Sequence, residues 1–116
     1  MKNKRIILLL TGAGLILCSY CPRQFRMQTT FLVWGDCPMC EKRIETAAMI
    51  KGVKSADWNL DTFVCTLTYC ANRVSAEDAQ CSIALAGYDT EFMRAPDSAY
   101  HSLPGCCQYI RKPNEP

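Results

Sequence analysis

Cys37 and Cys40 stand in the run FLVWGDCPMCEKRIETA, residues 31–47, where a strand-like segment gives way to a helix-like one. Two thiols at this spacing offer three chemistries. They exchange electrons as a dithiol–disulfide couple, close part of a structural zinc site, or hold a soft metal ion for transfer. Metal binding needs thiolate, so the site must draw the cysteine pKa below its free value of about 8.5. The first turn of a helix does this with exposed N–H groups and the positive end of the dipole. Soft sulfur ligands suit Cu(I), and also Zn(II), Cd(II) and Hg(II). Two thiolates alone suit a linear ion such as Cu(I) or Hg(II), whereas Zn(II) prefers four ligands in a tetrahedron.

A second group of ligand types closes the chain. The tail YHSLPGCCQYIRK carries His101, Cys106 and Cys107. It reads either as an appendage stapled by a disulfide, or as a flap that folds over the binding loop and adds ligands. Adjacent cysteines cannot both close on one ion without strain, so one of the pair is the expected donor. Cys65 lies on the inward parity of its strand and reads as a core residue. Cys70 and Cys81 have no evident role beyond a disulfide, with each other or with a tail cysteine. Met39, between the two central cysteines, is expected to face solvent or an interface.

The elements that must position these groups follow a short order. Residues 28–34, QTTFLVW, form a strand with Phe31 and Val33 on one face. Gly35-Asp36 breaks it, and Pro38 fits the first turn of a helix over 39–50 with Ile44, Ala47 and Ala48 inward. Gly52 ends that helix. VKSADWNL and CTLTY alternate as a hairpin, with Phe63 and Val64 near its tip serving local packing. Trp34 and Trp58 likewise read as packing residues. Ser75, followed by Glu77 and Asp78, starts a second helix with Ala79, Ile83 and Ala86 inward, and Gly87 stops it. YDTEFMR reads as a final short strand. The order β-α-β-β-α-β predicts an α+β, ferredoxin-like plait: a four-stranded antiparallel sheet with two helices on one face.

The 116 residues allow one such domain. Residues 1–21 differ from the rest, with Lys2, Lys4 and Arg5 ahead of the apolar run Ile6 to Cys18. That run is shorter than the ~20 residues of a membrane-spanning helix and reads as a signal peptide, with an N-terminal membrane anchor as the alternative. Cys18 suggests lipidation, although Leu17 stands where lipoprotein signals carry a small residue. The expected divisions are a leader at 1–21, a tether at 22–28, the domain at 29–95 and the tail at 96–116. Without Lys2, Lys4 and Arg5 the 13 basic residues fall to 10 against 11 acidic ones, so the net charge of +2 becomes −1. No basic stripe suited to a nucleic acid remains. Nine cysteines in an exported chain would ordinarily mean a disulfide framework. Their placement inside regular elements argues instead for a mixture of ligands, core residues and a single bridge.

Gly35 to Cys40 as G-x-C-x-x-C, Ile44-Glu45 and Ala47, Gly52-Val53, S-A-E-D at 75–78, Ile83 and A-G-Y at 86–88 together resemble the heavy-metal-associated domain. This is the module of copper chaperones, of metal-pumping P-type ATPases and of the periplasmic mercury-binding protein. The resemblance spans about residues 29–94. It implies a βαββαβ fold in which Cys37 and Cys40 bind a soft ion and pass it on by ligand exchange. The implied partner is a metal-transporting ATPase or another efflux or acceptor protein, met in the cell envelope (periplasm), with membrane contact only through the N-terminal segment. Tyr88 is implied as a group beside the metal loop. The sequence departs from the family at Gly35, where a methionine usually packs beneath the loop. It also departs at Asp36, where copper-binding members carry threonine or serine and zinc, cadmium and lead pumps place an aspartate ligand. Copper leads, and zinc, cadmium and mercury stay open.

CPMC also resembles the C-P-x-C of glutaredoxins and periplasmic disulfide oxidoreductases. Those folds need a later strand opened by a proline facing the active site. The prolines after Pro38 are Pro96, Pro104, Pro113 and Pro116, all beyond the second helix. A carrier, and no enzyme, is the expectation; a zinc- or disulfide-stapled structural module is the remaining rival.

Overall fold

A computed structural model describes residues 20–114. The apolar leader, Cys18 included, lies outside the described residues apart from its last two positions. After a 3-10 turn at Arg23–Phe25 come β1 (Arg26–Leu32), α1 (Pro38–Ala48), β2 (Val53–Trp58), β3 (Val64–Cys70), α2 (Ala76–Leu85), a short α3 (Asp97–His101) and a 3-10 turn at Gly105–Cys107. No described helix is long and apolar enough to cross a membrane.

The sheet is antiparallel in the order β1-β3-β2. β1 pairs with β3 from Arg26↔Cys70 to Leu32↔Val64, and β2 pairs with β3 from Val53↔Tyr69 to Trp58↔Cys65, with an irregularity between Val53 and Ser55. Helices α1 and α2 pack on it, tied by the Ser82 hydroxyl donating to the Ala47 carbonyl at 2.6 Å. Phe31, Ile44, Cys65, Leu67 and Ile83 are buried between the layers, as their spacing predicted. Ser75 and Asp78 form the expected capping box, each side chain accepting the other's backbone N–H at 3.1 Å. At the hairpin tip, Phe63 takes φ 65° and stacks on Trp58 with ring centroids 6.2 Å apart. The tip is local packing.

Three readings need correction. Among the described residues the sheet has three strands, where four were expected. The segment expected as the last strand makes one bridge, Val33↔Thr90, where the Trp34 N–H donates to the Asp89 carbonyl and the Glu91 N–H to the Leu32 carbonyl, both at 2.9 Å. Further pairing is pre-empted by side chains. The Glu91 carboxylate takes the Leu32 N–H, Gln80 takes the Phe92 N–H, and the Thr90 N–H bonds Met93 in a turn. Secondly, Cys70 is disulfide-bonded to Cys21, and Cys81 is a half-buried free thiol. Cys21, the last residue of the expected leader, is therefore part of the domain. Thirdly, β1 begins at Arg26, inside the expected tether, because Arg26 to Gln28 continue the ladder opposite Cys70 to Thr68.

The tail is ordered and buckled to the domain. Asp89, fully buried, receives the Arg111 guanidinium at 2.7 and 3.1 Å, the Ala95 N–H at 2.8 Å and the Lys112 N–H at 3.0 Å. The Tyr109 hydroxyl accepts the Asp89 N–H at 2.7 Å and donates to the Gly87 carbonyl at 2.8 Å. Its ring stacks on Tyr88 at 5.5 Å and meets Tyr100 edge-on at 5.1 Å. Residues 96–112 thus form a strap across the end of the domain where the cysteine loop lies.

Candidate metal centre

The loop between β1 and α1 is held from beneath by Trp58. Its indole N–H donates to the Val33 carbonyl at 2.9 Å, and a Cβ built on Gly35 would lie 2.9 Å from the Trp58 ring. The Trp58 ring leaves no room for a side chain at position 35, which accounts for the glycine there. Cys37 then caps α1: its Sγ accepts the Cys40 N–H at 3.4 Å, with Pro38 at the first helical position. One turn on, Cys40 is carried inward beside Ile44 and Ala48 and is fully buried.

The two sulfurs lie 3.2 Å apart, unbonded. The strap adds a third, since Cys107 Sγ is 3.9 Å from Cys37 Sγ. These three Sγ atoms fall within 4.8 Å of one another and are the one such group of three potential ligands among the described residues. The remaining candidates are sorted by the same geometry. Cys106 is exposed, its sulfur 3.9 Å from that of Cys107. Asp36 is exposed and accepts the Cys40 thiol at 3.3 Å, outside the three-sulfur group. His101 is exposed at the end of α3, edge-on to Tyr100 and outside the group. Met39 is 49 % exposed and faces solvent. Tyr88 is fully buried against Cys40 and Cys107, whose sulfurs its hydroxyl faces without a hydrogen bond of normal geometry among the described residues.

The electrostatics divide the three thiols. Burial opposes ionisation of Cys37, but hydrogen bonds from the Cys40 thiol and N–H and from Cys107 outweigh it and lower its pKa. Burial pushes Cys40 up to about 12, helped by its role as donor to Cys37 and Asp36. Burial and the neighbouring thiols of Cys106 and Cys37 also raise Cys107. Without metal, then, Cys37 ionises first and its neighbours hold protons toward it. The three sulfurs could together serve as ligands to a soft cation, which would take the place of the thiol protons. Cys65, buried in the sheet and raised to about 12 by burial and by the carboxylates of Glu45 and Asp57, is the inert core thiol its strand parity predicted.

The sequence reading missed the groups that aim the strap: Asp89, Tyr109 and Arg111. Their signal was present in the tail, where two aromatics and two basic residues (Tyr100, Tyr109, Arg111, Lys112) are more than a solvated appendage requires.

No family profile and no curated protein matches the sequence. Solved structures do. The chain is similar to a CopZ metallochaperone at 32 % identity and TM-score 0.53, covering 55 % of this chain and 98 % of that one. It is similar to a copper-binding domain from HMA7, a P-type ATPase, at 28 % identity and TM-score 0.54, covering 57 % and 92 %. It is also similar to the N-terminal domain of a potential copper-translocating P-type ATPase from Bacillus subtilis, solved in the Cu(I)-loaded state, at 27 % identity and TM-score 0.53, covering 56 % and 84 %. The strand–loop–helix that carries Cys37 and Cys40, the landmarks through Tyr88, and identity over nearly the whole of the metallochaperone point one way: this chain belongs to the heavy-metal-associated domain family.

Proposed function

We propose that the protein binds a soft metal ion, Cu(I) first, through Cys37 and Cys40 and passes it to an acceptor protein by ligand exchange. The observation that carries this is the unbonded sulfur pair, 3.2 Å apart at the start of α1, in a domain whose structural neighbours include a metallochaperone and copper-binding domains. Zn(II), Cd(II) and Hg(II) are the competing cargoes, with Asp36 beside Cys40 the feature that favours a harder ion. The acceptor is a metal-transporting ATPase or another efflux protein of the envelope, consistent with the neighbours named above. Export is supported by the basic-then-apolar leader and by the Cys21–Cys70 bridge, since such bridges persist in oxidising compartments. A leader removed ahead of Cys21 leaves that bridge intact.

The test is competition for Cu(I) against a chromophoric chelator, without oxygen and under reductant. The native chain takes up one ion, and Cys37→Ser with Cys40→Ser weakens binding by roughly a thousandfold or more, about 4 kcal/mol. Unchanged affinity in that double variant rejects the proposal. An insulin-reduction assay separates the carrier from a disulfide oxidoreductase; the carrier stays at background.

A further inference from the structure

We propose that the site holds its ion with three thiolates, Cys37, Cys40 and Cys107, the third delivered by the strap and the Tyr88 hydroxyl donating to the ligand sulfurs. This rests on the function proposed above and extends it to coordination number and retention. The ordinary role of a buried cysteine is that of a small apolar core residue. Three observations set Cys107 apart. The first is distance. Sulfurs bound at about 2.3 Å around a trigonal ion lie about 4 Å apart, and those of a linear pair about 4.6 Å. Cys37 and Cys107 stand at 3.9 Å, while Cys37 and Cys40 are at 3.2 Å, well short of a linear pair.

The second is the orphaned hydroxyl. Tyr88, fully buried, faces the sulfurs of Cys40 and Cys107, and its hydroxyl makes no hydrogen bond of normal geometry among the described residues. A hydroxyl left so is costly unless an acceptor arrives. Thiolates formed on metal binding are such acceptors, and donors to ligand atoms tune a metal site. The third is the anchoring. Tyr109, two residues beyond Cys107, is fixed to Gly87 and Asp89 on either side of Tyr88. The element that positions the donor hydroxyl therefore positions the third sulfur as well. Cys106 is carried on the same turn but is exposed, so the structure assigns the ligand role to one member of the adjacent pair.

Three thiolates, with no fourth side chain in the group among the described residues, suit a soft ion content with three ligands, Cu(I), better than Zn(II). Binding exchanges thiol protons for sulfur–metal bonds, with no change of oxidation state. The third bond slows loss to solvent and must break before an acceptor's two thiols can take the ion.

X-ray absorption on the Cu(I)-loaded full chain counts the sulfurs directly and needs no variant. Three are expected in the native protein, two in Cys107→Ser, with Cu(I) affinity in that variant down at least about tenfold. Cys106→Ser keeps three sulfurs and native affinity. Two sulfurs in the native protein, or an unchanged count and affinity in Cys107→Ser, overturn the inference. Cys37→Ser with Cys40→Ser, measured alongside, separates the levels. If that variant loses copper while the native protein shows two sulfurs, the third ligand alone is wrong. If it holds copper as the native chain does, the underlying function is wrong.

Discussion

The two ends of β1 carry cysteines in opposite states. At its start, Cys21 and Cys70 are joined across 49 residues of sequence. Past its other end, about 20 Å along the strand, Cys37, Cys40 and Cys107 converge without bonding to one another. The residue type is the same, and the surroundings decide its use. Cys21 is brought against the last residue of β3, where a bridge pins the entry of the chain to the sheet. The trio sits at a helix start, where N–H and S–H donors favour one thiolate and the Tyr88 hydroxyl faces the sulfurs of Cys40 and Cys107. One end is bridged into the fold, and at the other the sulfurs are not committed to each other.

If that division is right, changes at each end have separable effects. The largest is expected at the buckle of the strap. Arg111→Ala leaves the buried Asp89 carboxylate without its guanidinium, a loss of about 3–5 kcal/mol for a broken buried pair. Thermal unfolding reads the loss, and faster alkylation of Cys107 reads the opened strap. The acid response has a definite sign. Burial opposes ionisation of Asp89, but Arg111 and the N–H groups of Ala95 and Lys112 outweigh it and hold its pKa low. Its contribution is complete above the unfolded value near 3.9 and is lost as pH falls through the folded value. Asp89→Asn should flatten the stability profile below about pH 4.

Next comes the bridge. Cys21→Ser with Cys70→Ser, or reduction, should lower stability by about 2–4 kcal/mol for a loop of this length, with Cu(I) affinity unchanged. A parallel fall in affinity would mean that the two ends are coupled. The smallest effect has two signs. Tyr88→Phe removes a hydroxyl that lacks a partner without metal, so the metal-free protein gains about 1 kcal/mol. The same change weakens copper binding by about tenfold, since a donor to the ligand sulfurs is lost.

How much of this could be read in the sequence depended on range. The loop, the two helices and the hairpin were written in local signals: Pro38 after Cys37, the Ser75–Asp78 capping box, and alternation through Trp58 and Leu67. The last strand was not, because its donors are claimed by Gln80 and its anchoring carboxylate by Arg111 and Lys112, residues up to 23 positions away. The Cys21–Cys70 pairing was hidden because Cys21 is the last residue of the expected leader, three positions past its apolar run. The ligand types of the tail were legible, but only the structure sets Cys107, buried and 3.9 Å from the Cys37 sulfur, apart from the exposed Cys106. Asp36 and His101 lie outside the three-sulfur group, a distinction that no local signal carries.

Alkylation followed by mass spectrometry, with and without Cu(I), tests the two-ended account most directly. The account predicts Cys21 and Cys70 linked and unlabelled in both states, and Cys37 and Cys40 labelled only when copper is absent. Equal labelling of Cys37 and Cys40 in the two states, or copper shielding confined to other cysteines, would contradict it.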